Sequence, residues 1–319
     1  MSYPIKRLLV FPLVMLGVSV FVFVSIRLVP GDAITAMLGT ESGLLTPTQR
    51  DALRAYFGLD QNWFIQFWRW FAGVLQGDFG ISTTYGKPVM TIIWQHFPLT
   101  LELAILSMLI ALLIGIPAGI YAATHKDRPS DLIVRIVAMF GQSTPSFVVG
   151  LLLIYLLSVG FGVLPEMGTF VPITEDPLAN LAQMILPAIT LGTAFAAAVI
   201  RMSRSTMLDI LQEDYVRTAR SKGMSRRRVI WRHALPNALI PVITLSGVEF
   251  GYLLGGAVLV EQIFALPGLG RTVLDAILQR DYALVQGSVL FIAFNFMVVN
   301  LLVDLAYAAL DPRIRFETK

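Results

Sequence analysis

An all-α, polytopic membrane fold follows from three observations on this 319-residue chain. Hydrophobic side chains make up 56% of it and charged ones only 14%, against about a quarter charged in soluble domains, and its mean hydropathy is +0.72. Uncharged stretches of about 20 residues, long enough to cross ~30 Å of hydrocarbon, recur along it. The basic residues are unevenly shared among the segments that join those stretches. A water-soluble globule is excluded.

Five clean spans are predicted, at Leu8 to Ile26, Leu103 to His125, Ile136 to Pro165, Leu178 to Ile200 and Tyr282 to Val303. A sixth, Ala234 to Val260, is apolar except for Glu249. One intramembrane carboxyl costs about 2.5 to 3.5 kcal/mol on insertion scales, which the apolar residues around it offset. The first span follows Lys6 and Arg7, as a secretory signal would. It has no small-residue cleavage site and outruns a usual signal core, so it reads as a retained anchor.

Six spans put both termini on one side. Lys6 and Arg7, the stretch holding Lys126, Arg128 and Arg135, nine basic residues between spans four and five, and Arg313, Arg315 and Lys319 share a face. The opposite face has Arg50, Arg54, Arg69, Lys87, Arg271 and Arg280, and Arg27 is left over at the outer end of span one. The positive-inside rule makes the richer face, and both termini, cytoplasmic. Net charge is only +3, and nucleic acid is not an expected partner. Cysteine is absent, which removes disulfides, thiolate metal sites and a cysteine nucleophile.

In the long outer loop, Thr46-Pro47-Thr48-Gln49 has capping-box spacing with proline at the first helical position, and Gly58 stands where a helix C-terminal glycine belongs. A helix from Pro47 to Phe57 is predicted. The aromatic run Trp63 to Phe71 predicts a second short helix lying at the lipid headgroups. In the basic loop, nine Lys and Arg face only Asp209, Glu213 and Asp214. Topology control and attraction to anionic lipid account for the charge, but not for its punctuation. One helix is expected from about Asp214 to Lys222, stopped by Gly223, and another after Ser225 as its N-cap.

The run Glu213-Asp214-Tyr215-Val216-Arg217-Thr218-Ala219-Arg220-Ser221-Lys222-Gly223, followed after ten residues by Ala234-Leu235-Pro236-Asn237-Ala238, resembles the cytoplasmic loop of binding-protein-dependent ABC importer permeases. Their pattern is Glu-Ala-Ala, three residues, Gly, nine residues, Ile, one residue, Leu-Pro. Ala219, Gly223, Leu235 and Pro236 keep that spacing, while Arg217, Thr218 and His233 depart from it. The departures resemble the oligopeptide/dipeptide/nickel branch. So do Leu28-Val29-Pro30-Gly31-Asp32, Gly77 to Ser82, Ile185-Leu186-Pro187-Ala188, Pro267-Gly268-Leu269-Gly270-Arg271, Arg280-Asp281-Tyr282 and Asp311-Pro312-Arg313-Ile314-Arg315.

The resemblance implies a type I ABC importer permease fold. Its parts are an anchor with an extracytoplasmic helical loop over 1–98, a five-span permease core over 99–311 with a coupling loop over 201–235, and a cytoplasmic tail over 312–319. It implies a second homologous permease, two cytoplasmic ATPases that bind ATP and Mg, and an extracytoplasmic substrate-binding protein, in a bacterial or archaeal plasma membrane. Peptides are the implied cargo, with nickel chelates, glutathione, opines or oligosaccharides as alternatives. The coupling residues would be Glu213, Asp214, Tyr215, Arg217, Thr218, Ala219, Arg220, Lys222, Gly223, Leu235 and Pro236. Ala219 is expected to keep the contact face small, with Arg217, Arg220 and Lys222 pairing with acidic groups of the ATPase. Pro267, Gly268, Gly270 and Arg271 are candidates for contact with the binding protein.

No catalytic constellation accompanies this pattern. Gly80 to Lys87 has five residues between its glycines and Pro88 after the lysine, unlike a phosphate loop. Gly268-Leu269-Gly270 lacks a third glycine at Val273 and a preceding strand, and Gly141 to Pro145 fails the nucleophile-elbow pattern. His96, His125 and His233 are scattered, so no metal site is expected. Glu102, Glu249 and Asp304 lie in or at the edge of spans, where acids are functional candidates. Glu249 is the leading pathway candidate, because Gly247, Gly251, Gly255 and Gly256 permit close approach of a helix or ligand; its alternative role is to hold helices together. Pro117 and Pro145 predict kinks, with Ser143, Thr144 and Ser146 available to freed carbonyls. A secondary transporter using Glu249 or Asp304 as a proton site is the competing class. It would not need the punctuated loop.

Overall fold

The structure is a computed structural model that describes residues 3–28, 46–56, 60–162, 168 and 170–310. Val29 to Asp32, Gly58 and the tail from Asp311, all singled out above, lie outside the described residues. Helices dominate, and the only β feature among the described residues is an isolated bridge between Ile81 and Pro88. Among the described residues five helices are long and apolar enough to cross a membrane, and a pair bent by 100° brings the number to six when counted as one broken span. The chain divides into two compact units, Met1–Leu99 with Gly268–Met297, and Thr100–Pro267 with Val298–Lys319.

In the first unit, α1 (Tyr3–Leu28) is the first span. The capping box forms as expected at α2 (Pro47–Tyr56). The Thr46 backbone N–H donates to Gln49 Oε1 at 2.9 Å, and the Gln49 N–H returns to Thr46 Oγ1 at 3.3 Å. The aromatic helix α3 (Trp63–Leu75) is longer than expected, starting from Asn62, whose side chain accepts from the Phe64 N–H at 3.0 Å. Arg27, the basic residue that fitted neither face, is held by packing: its guanidinium donates to Gln66 Oε1 at 2.8 and 3.1 Å and lies 3.4 Å over the Phe23 ring. Phe23 in turn meets Phe67 edge-on at 5.3 Å, so α1 and α3 are stapled by aromatic contacts and one cation.

The loop before the second span is fastened by Asp281, a fully buried carboxylate. It accepts from the Ser82 hydroxyl, from the Thr84 N–H at 3.0 Å and from the Leu284 N–H at 3.1 Å. One side chain thus caps the last helix, α13 (Tyr282–Leu310), and holds a loop 199 residues away in sequence.

The second expected span is part of a 36-residue helix, α4 (Val89–Thr124), which runs through Pro98 and Pro117 without a break. The third departs further. It is two helices, α5 (Pro129–Ser143) and α6 (Ser146–Tyr155, extended by a π-helical turn to Gly160), bent by 100°. Pro145 is therefore a break, not a kink. The residue before a proline is pushed out of the α region, and Thr144 is extended at φ −88°, ψ 121°. The Thr144 hydroxyl donates to Phe140 O at 2.8 Å, but that carbonyl also accepts the Thr144 N–H at 3.0 Å, so it is not the one freed by Pro145, which is Gly141 O four residues back.

The fourth span, α7 (Pro177–Ile210), starts at Asp176, whose side chain accepts from the Leu178 and Ala179 N–H groups at 3.0 and 3.1 Å. It crosses α4 closely enough that glycine is required. A Cβ on Gly115 would stand 2.6 Å from Val199 Cβ, one on Gly119 2.6 Å from Ser203 Cβ, and one on Gly192 2.7 Å from Ser107 O. Gly115 and Gly119 are four apart, the small-residue spacing of close helix crossings.

Candidate coupling site

The basic loop folds into α8 (Asp214–Ser221), as the sequence predicts to within a residue. Eight residues are too few to hold a helix alone in water, so packing and caps must hold this one. Val216 and Ala219, three apart and hence on one face, are buried against Val229, with Ile210, Leu211 and Met224 around them. Fully burying a valine is worth about 1.5 to 3 kcal/mol. Ala219 therefore faces its own chain. Its small size permits seating of the helix rather than shaping the outward face, which corrects the expectation.

The C-terminus closes in a Schellman arrangement. Gly223 has φ +76°; its N–H donates to Arg220 O at 2.9 Å, and the Met224 N–H to Ala219 O at 3.4 Å. Met224 also packs against the cluster beneath, completing the hydrophobic contact typical of that motif. No atom lies within 4 Å of where a Gly223 Cβ would stand, so backbone conformation alone demands glycine there.

The outward side presents Glu213, Asp214, Tyr215, Arg217, Thr218, Arg220 and Lys222, all exposed. Arg217 pairs with Asp214 one turn back, and the Thr218 hydroxyl donates to Asp214 O at 2.9 Å. Tyr215 OH accepts from Asn237 Nδ2 at 2.9 Å and donates to His233 O at 3.4 Å, tying α8 to the start of the fifth span.

That start differs from expectation. Ser225 has N-cap backbone geometry, but its hydroxyl makes no cap bond. The second loop helix is also no separate element: α9 (Arg226–Arg228) runs through a π-helical turn (Val229–Ala234) into α10 (Leu235–Gly256). Leu235 packs on a cluster of Ala123, Met207, Ala234 and Ala238, while Pro236 is exposed in the first turn of α10. The span stops at Ala257, and Val258–Ile263 (α11) is distinct.

Contacts run from this site into the spans. The Arg226 guanidinium donates to Thr124 O at the end of α4, and Thr206 of α7 donates to Ala238 O at 3.0 Å. Asp131, fully buried near the start of α5, receives Arg204 of α7 through Nε at 2.7 Å and an Nη at 2.8 Å, and the Asp127 N–H at 3.1 Å. The loop is thus in direct contact with α7 and α10, and with the end of α4 through Arg226.

The remaining candidates are dispersed. Glu249 on α10 is half-buried with no polar partner among the described residues. Gly251 is buried, and a Cβ on Gly247 would meet Val303 at 2.1 Å, so the expected close helix approach occurs there. Glu102 and Asp304 are both half-buried. Pro145 is the N-cap of α6. Pro267 is half-buried. Gly268 is the buried N-cap of α12 (Leu269–Leu278), Gly270 is buried, and Arg271 is half-buried, 3.9 Å from Asp275. Two buried acids were missed by sequence reasoning at the spans, Asp131 and Glu261; the latter accepts from Thr100 Oγ1 at 2.7 Å. Neither carries a local motif. No metal-binding cluster occurs among the described residues.

Apolar helices in this number, joined by a basic loop folded into a capped surface helix, are those of a polytopic membrane protein. The family model described as "Binding-protein-dependent transport system inner membrane component" matches residues 115–316, and its N-terminal companion matches residues 1–104. The chain belongs to this family and is an ABC importer permease subunit of the peptide/nickel branch. It is 40% identical over 317 residues to the glutathione transport system permease protein GsiC of Escherichia coli (strain K12), covering 99% of this chain and 100% of that one. The protein of that name in Salmonella paratyphi A is 42% identical over 318 residues, with the same coverage. Among solved structures, an inward-facing form of the MetNI methionine ABC transporter matches with a TM-score of 0.58 at 16% identity, over 70% of this chain and 97% of that one. An amino acid ABC transporter matches at 0.50 and 20% identity, over 70% and 94%. At these identities the likeness concerns the fold.

Proposed function

We propose that this permease forms half of the translocation pathway of an ATP-driven importer whose cargo is of the peptide class. It pairs with a second permease. Two cytoplasmic ATPases bind ATP and Mg and hydrolyse the nucleotide, and an extracytoplasmic binding protein delivers cargo, so this chain itself performs no catalysis. Both termini and α8 face the cytoplasm, as the distribution of basic residues favours. The observation that carries the reading is α8: a helix seated by Val216 and Ala219, closed at Gly223, with Asp214, Arg217, Thr218, Arg220 and Lys222 outward. A rigid knob of this kind fits a groove on an ATPase, so that ATPase closure becomes movement of α7 and α10.

The relatives named for glutathione support a peptide-class cargo, since glutathione is a γ-linked tripeptide. Nickel chelates, opines and oligosaccharides are the alternatives. On the extracytoplasmic side, Arg271 is the member of the Pro267, Gly268, Gly270 and Arg271 set best suited to meet the binding protein, because both glycines are buried. Reconstitution with the partner subunits tests the reading: ATP-dependent uptake of labelled glutathione or short peptides is expected. Uptake driven by a proton gradient with the ATPases absent would make the chain a secondary transporter.

A further inference from the structure

We propose that the groove of about 770 Å³ lined by Ser225, Arg227, Arg228, Trp231, Arg232 and Pro236 binds the phosphate headgroup of an anionic membrane phospholipid. Three arginines line it and no carboxylate does. None of the three forms an ion pair among the described residues, and all are exposed. Arg227 and Trp231, like Arg228 and Arg232, are four apart and stack along one side of the helix. A guanidinium presents paired N–H donors that match phosphate oxygens, and the Ser225 hydroxyl adds another donor. Trp231, 60% exposed, is the side chain that favours the polar border of a bilayer.

Depth decides between a lipid and a soluble partner. The helical segment Arg226–Gly255, which holds the fifth span, is 30 residues long, or about 45 Å at 1.5 Å per residue, some 15 Å more than the hydrocarbon core. The surplus falls at the arginine end, because Glu249 is the only charged residue from Pro236 to Gly255. One leaflet's headgroup layer is about 5 to 7 Å deep, three to five helical residues, so Trp231 to Leu235 fall in it and Arg226 to Ile230 lie just beyond, on the aqueous side. The π-helical turn at Val229–Ala234 overlaps that layer, and such turns are frequent at functional sites. The Trp231, Arg232 and Pro236 end of the groove is thus at the depth where a phospholipid offers its phosphate, and the long side chains of Arg227 and Arg228 reach back toward it from the aqueous side.

The test is native mass spectrometry of the assembled transporter in mild detergent, titrated with phosphatidylglycerol and with phosphatidylcholine. The wild type is expected to retain phosphatidylglycerol selectively. Affinity should fall about fivefold per arginine in Arg227→Gln, Arg228→Gln and Arg232→Gln, and about a hundredfold in the triple variant. The triple Arg→Lys variant, which keeps the charge and loses the paired donors, should fall between the wild type and the triple Gln variant. Arg228→Gln and Trp231→Ala, tested singly, serve if the triple variant fails to assemble. Equal retention by wild type and Gln variants overturns the proposal. So does displacement of the lipid by millimolar inorganic phosphate, which would make this a free-anion site, or loss of the ATPases with lipid still bound, which would make it a protein contact. The proposal rests on membrane placement and not on cargo, so failure of ATP-driven uptake leaves it standing.

Discussion

Replacing Gly223 isolates the cap of α8 from the rest of the molecule. Its φ of +76° is one that L-residues rarely adopt, and no atom lies within 4 Å of a new Cβ. The cost of Gly223→Ala is therefore conformational, about 1 to 2 kcal/mol, which lowers the population of the capped helix about 5- to 30-fold. Gly223→Val adds crowding from its branched side chain, whereas Gly223→Asn should recover much of the loss because asparagine tolerates the left-handed region. The assay is cargo-stimulated ATP hydrolysis by the reconstituted complex, with membrane insertion measured alongside. Stimulation should fall from glycine to asparagine to alanine and vanish in Gly223→Val, with insertion intact. Normal stimulation in Gly223→Val, or equal deficits for alanine and asparagine, would refute the reasoning.

Asp131→Ala leaves Arg204 facing an empty, buried site and should cost about 3 to 5 kcal/mol, read as a lower unfolding temperature in detergent; an unchanged temperature would show that the pair carries no stability. Gly119→Ile forces a side chain into the crossing with α7, where even a Cβ meets Ser203 at 2.6 Å, and should destabilise by at least about 1 to 3 kcal/mol. Gly17→Ile, where nothing lies within 4 Å, should be near neutral in the same assay. Asp281→Ala removes the acceptor for Ser82, Thr84 and Leu284; amide exchange across Ser82 to Lys87 should quicken on the order of tenfold or more, and unaltered protection would mean the loop is held by other contacts.

The features legible in the sequence have causes spanning a few residues. Thr46 with Gln49, Gly223 after a helical run, and an apolar stretch bounded by arginines each act within one turn or one segment. The break at Pro145 was visible as a proline, but its 100° angle was not, since proline restricts only its neighbour's backbone and the packing of α5 and α6 sets the direction. Ala219, expected on the outward contact face, is buried with Val216 against Val229, because its spacing to Val216 matters more than its size. The pairs Asp131–Arg204, Thr100–Glu261 and Ser82–Asp281 are separated by 73, 161 and 199 residues. Their chemistry is created when distant helices meet, and a single sequence carries no local trace of it. The same holds for Gly115 and Gly119, whose need for glycine arises from α7.

The absence of cysteine makes one introduced thiol unique, so the coupling role of α8 can be tested by single-site cross-linking in the assembled transporter. Arg217→Cys, on the outward side, should cross-link to an ATPase subunit bearing a single cysteine in its groove, with a yield that changes when ATP is added. Val216→Cys, buried against Val229, should not. Cross-linking from neither position, or equally from both, would contradict the assignment of α8 as the element that receives the ATPase stroke.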